Sequence, residues 1–337
     1  MKRSKLSWLL INLLIIILSS ELNAQTSFNL KNDVILTQHW EMPVLLNPAS
    51  SGGIDFVRIR GGARLQWLGV HDSPKNLVGT IDTPFKIGDK KFGGGLIVNN
   101  SSFDFFDNIF LGAQLSYKIN IGKSVFSLGI QGGYYRIKFK GSKLKIDNDH
   151  INEDEVWLKS SYLPTNDLTK SKFDLGLGLR FDNPNFHVGL SGLHLTDSSI
   201  KLYGNKEITE ENNYVDCKLP AIFYLDLGGN INLKNSLFKL QPSILVGTDF
   251  NNFNAVIETR TTYNEKFTFG LDYRWNEAVG IFAGVYLKDF YIGYAWEYAY
   301  VHSAKGSYGN HELVLGYQFK LDLGSKKKYS YKSIRLM

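Results

Sequence analysis

The chain has 337 residues and a formal net charge of +6, spread too evenly to mark a nucleic-acid-binding surface. Aromatic residues make up 14%, glycine is abundant (32 residues) and proline scarce (8). The one cysteine, Cys217, excludes an internal disulfide, so an exported chain of this size must draw its stability from its own architecture.

Residues 1–24 read as a secretory signal. Lys2, Arg3 and Lys5 precede an apolar run from Leu6 to Leu18, and the small residue Ala24 stands before Gln25. The competing reading is an anchoring helix. The run is shorter than the ~20 apolar residues a helical span needs, and a polar segment follows at once. Neither Ala24 nor Gln25 is directly followed by a cysteine, which argues against a lipidated N-terminus. Residues 25–55 show no strong alternation and are assigned to a periplasmic or lumen-plugging segment.

From Val57 onward the hydrophobic period is two. Phe173, Leu175, Leu177, Leu179 and Phe181 alternate with polar or small residues, as do Phe290, Ile292, Tyr294, Trp296 and Tyr298, then Leu313, Leu315 and Tyr317. Each such segment has one apolar and one polar or small face. Segments begin near residues 56, 76, 91, 107, 124, 172, 185, 220, 237, 253, 266, 278, 289 and 310. That makes about fourteen strands, most near the ~9–11 residues of a tilted membrane-crossing strand and an even number as in closed bacterial barrels. A soluble sandwich, with strands of ~5–6 residues, fits less well. The expected fold is an all-β, transmembrane antiparallel β-barrel over 56–323, followed by a tail over 324–337.

Connection lengths orient it. The turns at Gly88–Lys90, Asn120–Lys123, Asp182–Asn185, Lys234–Ser236, Asn264–Glu265 and Lys288–Asp289 are short. The alternate connections are mostly longer, above all Lys140–Lys172 and Asp197–Lys218. Short turns belong to the periplasmic side of such barrels, which places both termini there, including Lys326, Lys327 and Lys328. Trp67, Trp275, Trp296 and Tyr298 are candidates for an interfacial aromatic girdle.

The first strand puts Arg58, Arg60, Arg64 and Gln66 on one face and Val57, Ile59, Ala63, Leu65 and Trp67 on the other. The arginine face must point inward, since an arginine facing lipid at mid-bilayer costs ~2–4 kcal/mol. Asp174, Asp226, Glu258, Asp272, Glu297 and Glu312 are the inward acidic candidates. The last strand of a closed barrel pairs with the first, so Glu312 is expected to approach the arginine row. An ion-selective lumen is one reading. A plugged barrel with structural charge pairs is the other, favoured because inward glycines leave room for plug or loop backbone.

No catalytic or cofactor-binding set emerges. His187 and His194 are seven positions apart on one strand and fall on opposite faces, as do Ser191 and His194. Gly93-Gly94-Gly95 lies in a strand without the helix and Lys-Ser/Thr of a phosphate loop. Asp147, Asp149 and Glu153–Glu155 form an acidic loop cluster, read as solvated charge over a calcium site. The chain is expected to be non-enzymatic, with no metal or cofactor.

One N-terminal pattern is specific. Gln38, Leu45-Leu46-Asn47-Pro48-Ala49, Gly52-Gly53, Arg64-Leu65-Gln66-Trp67, Pro74 and Thr83-Pro84 resemble the opening of the PorP/SprF family. His311-Glu312-Leu313 and Ser333-Ile334-Arg335 resemble its end less specifically. The sequence departs from the family in having Ala63 where an aromatic usually precedes the arginine, and Ile334 where a proline is common. The resemblance implies an outer-membrane component of the type IX secretion and gliding-motility apparatus of Bacteroidota. Its implied partners are secretion components, an adhesin-like secreted surface protein and the lipid bilayer. Asn47, Pro48, Ala49, Arg64, Gln66 and Trp67 are its motif and lumen-packing candidates; Arg58, Arg60 and Glu312 are the charge-pairing ones. Physically, Pro48 extends Asn47 into an ordered turn, and Arg64 and Gln66 are placed to hydrogen-bond a segment folded into the lumen from below. The alternative function is a small-solute channel.

Overall fold

The computed structural model describes residues 28–29, 35–143, 164, 166–196, 198–203, 214–233 and 237–320. The signal 1–24, the acidic cluster at 147–155, the turn 234–236 and the tail 324–337 lie outside the described residues.

Alternating sequences become long antiparallel strands, because each apolar face has lipid to meet and each small or polar face has a filled interior. The strands are β1 (Val57–Leu65), β2 (Lys75–Ile87), β3 (Lys90–Phe103), β4 (Phe106–Ile121), β5 (Ser124–Lys140), β6 (Asp167–Asn183) and β7 (Phe186–Leu193). They continue as β8 (Ile222–Gly229), β9 (Phe238–Thr248), β10 (Phe253–Tyr263), β11 (Phe267–Arg274), β12 (Ala278–Leu287), β13 (Phe290–Ala299) and β14 (Asn310–Phe319). Neighbours in sequence pair in space, and β14 closes onto β1 with Glu312 opposite Arg64 and Gln318 opposite Arg58. The result is a closed barrel of fourteen antiparallel strands. A two-residue strand, Ile231–Asn232, continues the pairing onto β9 after Asn230. Among the described residues no helix is long and apolar enough to cross a membrane.

The alternation is the lipid-facing pattern: Phe173, Leu175, Leu177 and Leu179 are exposed on β6, and Phe290, Ile292, Tyr294, Trp296 and Tyr298 on β13. At one end the strands join by tight turns, where Gly88 (φ 60°) and Gly122 (φ 61°) supply left-handed backbone. Aromatics pair across strands on the outer face near that end, as at Phe85–Phe92, Phe181–Phe186, Phe238–Tyr263 and Phe290–Tyr317. Trp275, Trp296 and Tyr298 mark the outer face at the other end.

Two features differ from expectation. The sixth strand begins at Asp167 instead of 172, because Lys138 and Lys140 of β5 continue the ladder to Thr169 and Asp167. The connection after β7 is not merely polar loop. It holds an antiparallel hairpin, Ser198–Tyr203 with Tyr214–Leu219. Ile200, Leu202, Val215, Cys217 and Leu219 of this hairpin are buried against Phe106, Ile137 and Phe139 on the inward face of β4 and β5. The hairpin therefore caps the long-loop mouth from inside.

Candidate functional site

The lumen is occupied by the chain itself. Residues 35–53 run through it as three short 3-10 turns, His39–Glu41, Pro43–Leu45 and Pro48–Ser50. This run shows no alternation in sequence because it is surrounded: Leu36, Met42, Val44, Leu46 and Ala49 are as buried as Thr37, Gln38, Asn47 and Ser51.

At the long-loop end the segment is held by a charge network. Glu312 accepts the backbone N–H of Thr37 (2.7 Å, Oε2) and of Gln38 (2.9 Å, Oε1). Arg64 lies beside Glu312 (3.3 Å) and Glu297 (2.6 Å), and its Nη1 donates to Thr37 Oγ1 at 3.0 Å. Arg274 donates to Glu297 (2.7 Å) and to the carbonyl of Ile35 (2.8 Å). Tyr291 OH donates to Gln38 Oε1 at 2.7 Å. Four strands are thereby tied to three plug residues, Ile35, Thr37 and Gln38. Every charged side chain in the network is at most 5% exposed, so each depends on its partners for compensation.

Halfway along, Glu41 receives Arg60 Nε at 2.9 Å and the hydroxyl of Tyr286. Arg60 also donates to Gln318 Oε1 (3.1 Å) and the carbonyl of Tyr317 (3.1 Å). Next, Asn47 caps the last 3-10 turn: its Oδ1 accepts from Ala49 N at 2.9 Å. Its Nδ2 donates to the carbonyls of Leu179 (3.0 Å) and Leu190 (3.2 Å) on the wall. The wall there is Gly129 and Gly178, facing each other across β5 and β6. A Cβ on Gly178 would stand 2.1 Å from Asn47 Oδ1, and one on Gly129 would stand 2.2 Å from Ala49 N. Only hydrogen at both positions lets Pro48 and Ala49 lie flat on the sheet. Near the short-turn end Ser116 donates to the carbonyl of Ser51 (2.8 Å), and Gly52 N donates to Asp82 (2.8 Å). Asp82 in turn takes Arg58 in a bidentate pair at 3.0 and 2.9 Å.

Of the sequence candidates, Asn47, Pro48, Ala49, Arg60, Arg64 and Glu312 converge on this packing, and Arg58 meets the segment through Asp82. Glu312 pairs with Arg64; the partners of Arg58 and Arg60 are Asp82 and Glu41. Sequence reading passed over both. Asp82 shares the parity of buried Val78 and Thr80 on β2 and was legible; Glu41 lies in the unpatterned segment and was not.

Three placements are corrected. Gln66 reaches Glu277 (3.5 Å) and not the N-terminal segment. Trp67 does not face lipid: β1 ends at Leu65, Trp67 has φ 51°, and its ring packs beside Ala278, Ala299 and Ala304. His194 also leaves its strand's parity, through φ 55°, and turns inward onto Asp174 at 2.8 Å. His187 meets Asp226 instead, at 3.2 Å. Ser191 donates to the carbonyl of Leu46. No group of three metal-ligating side chains occurs among the described residues. Asp174, Asp226, Glu258 and Glu297 are all on the inward face, with Glu258 3.6 Å from His39.

The direction of the segment is a further correction. Phe28–Asn29 pairs in parallel with Cys217–Lys218 of the capping hairpin, at the long-loop mouth. The chain then descends past Glu312, Arg60 and Asp82 to enter β1 at the short-turn end, where β14 also finishes. The two ends of the described chain thus lie at opposite mouths, not on one side, because the hairpin edge captures the N-terminal strand.

A membrane-crossing β-barrel whose lumen is filled by its own N-terminal segment is the class of protein that these features define. The sequence matches the family described as type IX secretion system membrane protein PorP/SprF over residues 29–317. The chain belongs to that family, and is an outer-membrane β-barrel component of type IX secretion. Comparison with functionally curated proteins gives no match. Among solved structures it is similar to a monoaromatic hydrocarbon channel, CymD, at 10% identity and TM-score 0.49 over 84% of this chain and 92% of that one. It is similar to the Pseudomonas putida toluene transporter TodX at 11% identity and TM-score 0.45, over 85% and 94%. It is also similar to the Acinetobacter baumannii outer membrane protein Omp33 at 8% identity and TM-score 0.44, over 80% and 100%.

Proposed function

We propose that this barrel is a closed, non-enzymatic docking component that supports export or surface attachment of an adhesin-like partner protein. The long connections and capping hairpin face the exterior and meet that partner; the short turns and the 324–337 tail face the periplasmic machinery. Residues 1–24 are removed as a signal, so the new N-terminus starts at the outer mouth and threads inward. One observation carries the reading: residues 35–53 are bonded to the wall at three depths, through Glu312, Arg60 and the carbonyls of Leu179 and Leu190. A solute path would need that segment to leave. The cavity beside it, whose lining includes His39, Arg180, His187 and Glu258, holds about 40 Å³, room for one or two waters.

The test is gene deletion followed by inventory of the cell surface, with single-channel recording of the purified barrel. Loss of one or a few surface proteins, together with a silent barrel in a planar bilayer, is the expected result. Steady ion-selective openings of the intact chain, or an unchanged surface inventory, overturn it.

A further inference from the structure

The short-turn mouth carries a feature that the plug contacts only partly account for. On β2, β3 and β4 the side chains of Lys86, Lys91 and Lys118 stand in lateral register: Lys86 opposite Lys91, and Lys91 opposite Lys118. Their immediate neighbours Phe85, Phe92 and Tyr117 form the matching row, with ring centroids 5.7 and 5.2 Å apart. Successive residues of a strand point to opposite faces. Phe85, Phe92 and Tyr117 share the outward parity of Ile81, Leu96 and Leu115, which are exposed to the lipid side. The lysines therefore share the inward parity of Asp82, Gly93 and Ser116, which touch the plug. Lys86 and Lys91 lie one inward position beyond its contacts at Pro84 and Gly93, toward the short-turn mouth, while Lys118 reaches back to it.

Three like charges in adjacent cross-strand positions, with Cβ atoms roughly 5 Å apart, repel one another. No carboxylate lies within 4.0 Å of any of the three among the described residues. Lys118 spends its ammonium on the carbonyl of Ala49 (3.3 Å) and on Ser127 (3.5 Å), both neutral. Lys86 and Lys91 are exposed. The sheet thus holds a cationic row without a direct carboxylate partner beside the short turns, on the face turned away from the lipid. We infer that Lys86, Lys91 and Lys118 form a docking row for an acidic polypeptide segment of a partner on the short-turn side. A phospholipid headgroup is the less suitable occupant, because the aromatic row stands between these lysines and the bilayer. This deepens the proposed function by giving the periplasmic contact a location and a charge, and it rests on the orientation stated there.

The test uses the full chain in phosphatidylcholine nanodiscs and a fluorescein-labelled oligoglutamate peptide, read by anisotropy at low salt. Lys118 is left intact because it also holds the plug. Lys86→Gln with Lys91→Gln is expected to weaken binding about tenfold, whereas Lys266→Gln with Lys288→Gln removes the same charge from other turns and leaves it nearly unchanged. Heat-modifiable gel mobility confirms that each variant is a folded barrel. No binding by the parent chain, equal loss in both variants, or loss in neither overturns the row. Displacement of the peptide by phosphatidylglycerol in the disc assigns the lysines to lipid and also overturns it. In cells, if deletion abolishes surface display and the Lys86→Gln, Lys91→Gln chain restores it fully, the row falls while the proposed function stands; if deletion changes nothing, the proposed function itself falls.

Discussion

Glu312, on the strand that closes the barrel, accepts the backbone N–H of Gln38 at 2.9 Å. The carboxylate is 1% exposed and holds the Thr37 N–H with its other oxygen. Glu312→Ala removes both acceptors and leaves Arg64 with one carboxylate partner, Glu297. Breaking one partner from a buried pair costs about 3–5 kcal/mol. The predicted outcome is a barrel that still forms but whose plug opens: the amides of Thr37 and Gln38 exchange hydrogen orders of magnitude faster, while the β5–β6 ladder stays protected. Unchanged exchange at those two amides would refute the anchor.

The glycine seat makes a sharper steric prediction. Gly178→Val places a side chain where Asn47 Oδ1 stands 2.1 Å from the first added carbon. Neither group has freedom to give way, since Asn47 is fixed by three hydrogen bonds. Pro48 and Ala49 must lift off the wall. Limited proteolysis should then cut within 44–53, where the parent chain resists. By contrast, Gly122→Ala, at an open turn, costs only its left-handed backbone, about 1 kcal/mol, and should leave the plug resistant.

These contacts show how far the sequence could be read. Strand order, closure and the inward arginines were legible because lipid on one side and a filled lumen on the other force a period of two. Parity failed at Trp67 and His194, where left-handed residues end β1 and β7 and redirect the next side chain. The plug's course was not legible, since a segment enclosed on all sides has no face to alternate and its partners lie up to 275 positions away. Asn47 was visible as a turn former, but not its reach to Leu179 and Leu190.

The capping hairpin offers a third prediction. Cys217 is fully buried against the inward aromatics of β4 and β5. Cys217→Asp puts an unpaired charge there and undocks the hairpin, because an uncompensated buried carboxylate is far costlier than the apolar contacts the hairpin gains. In the parent chain Cys217 should resist a maleimide until the barrel is denatured. Slow labelling lost in an Ile137→Ala barrel would mark the hairpin as the shield; fast labelling of the native parent chain would show that the mouth is uncapped.

The opposed ends of the described chain give the last prediction. Short turns mark the periplasmic side of outer-membrane barrels. Phe28–Asn29 pairs at the other mouth, against Cys217 and Lys218. An epitope inserted directly after Gln25 should therefore bind antibody on intact cells. The same epitope in the Gly122–Lys123 turn should be reached only after the outer membrane is permeabilised. Two positions are needed because either alone confuses orientation with burial. If both epitopes are silent on intact cells and both appear on permeabilisation, the N-terminal segment enters from the periplasm and the hairpin pairing is not the resting state. If instead the turn epitope is reached on intact cells and the Gln25 epitope only after permeabilisation, the barrel lies in the opposite sense, and the docking row of Lys86 and Lys91 would face the exterior.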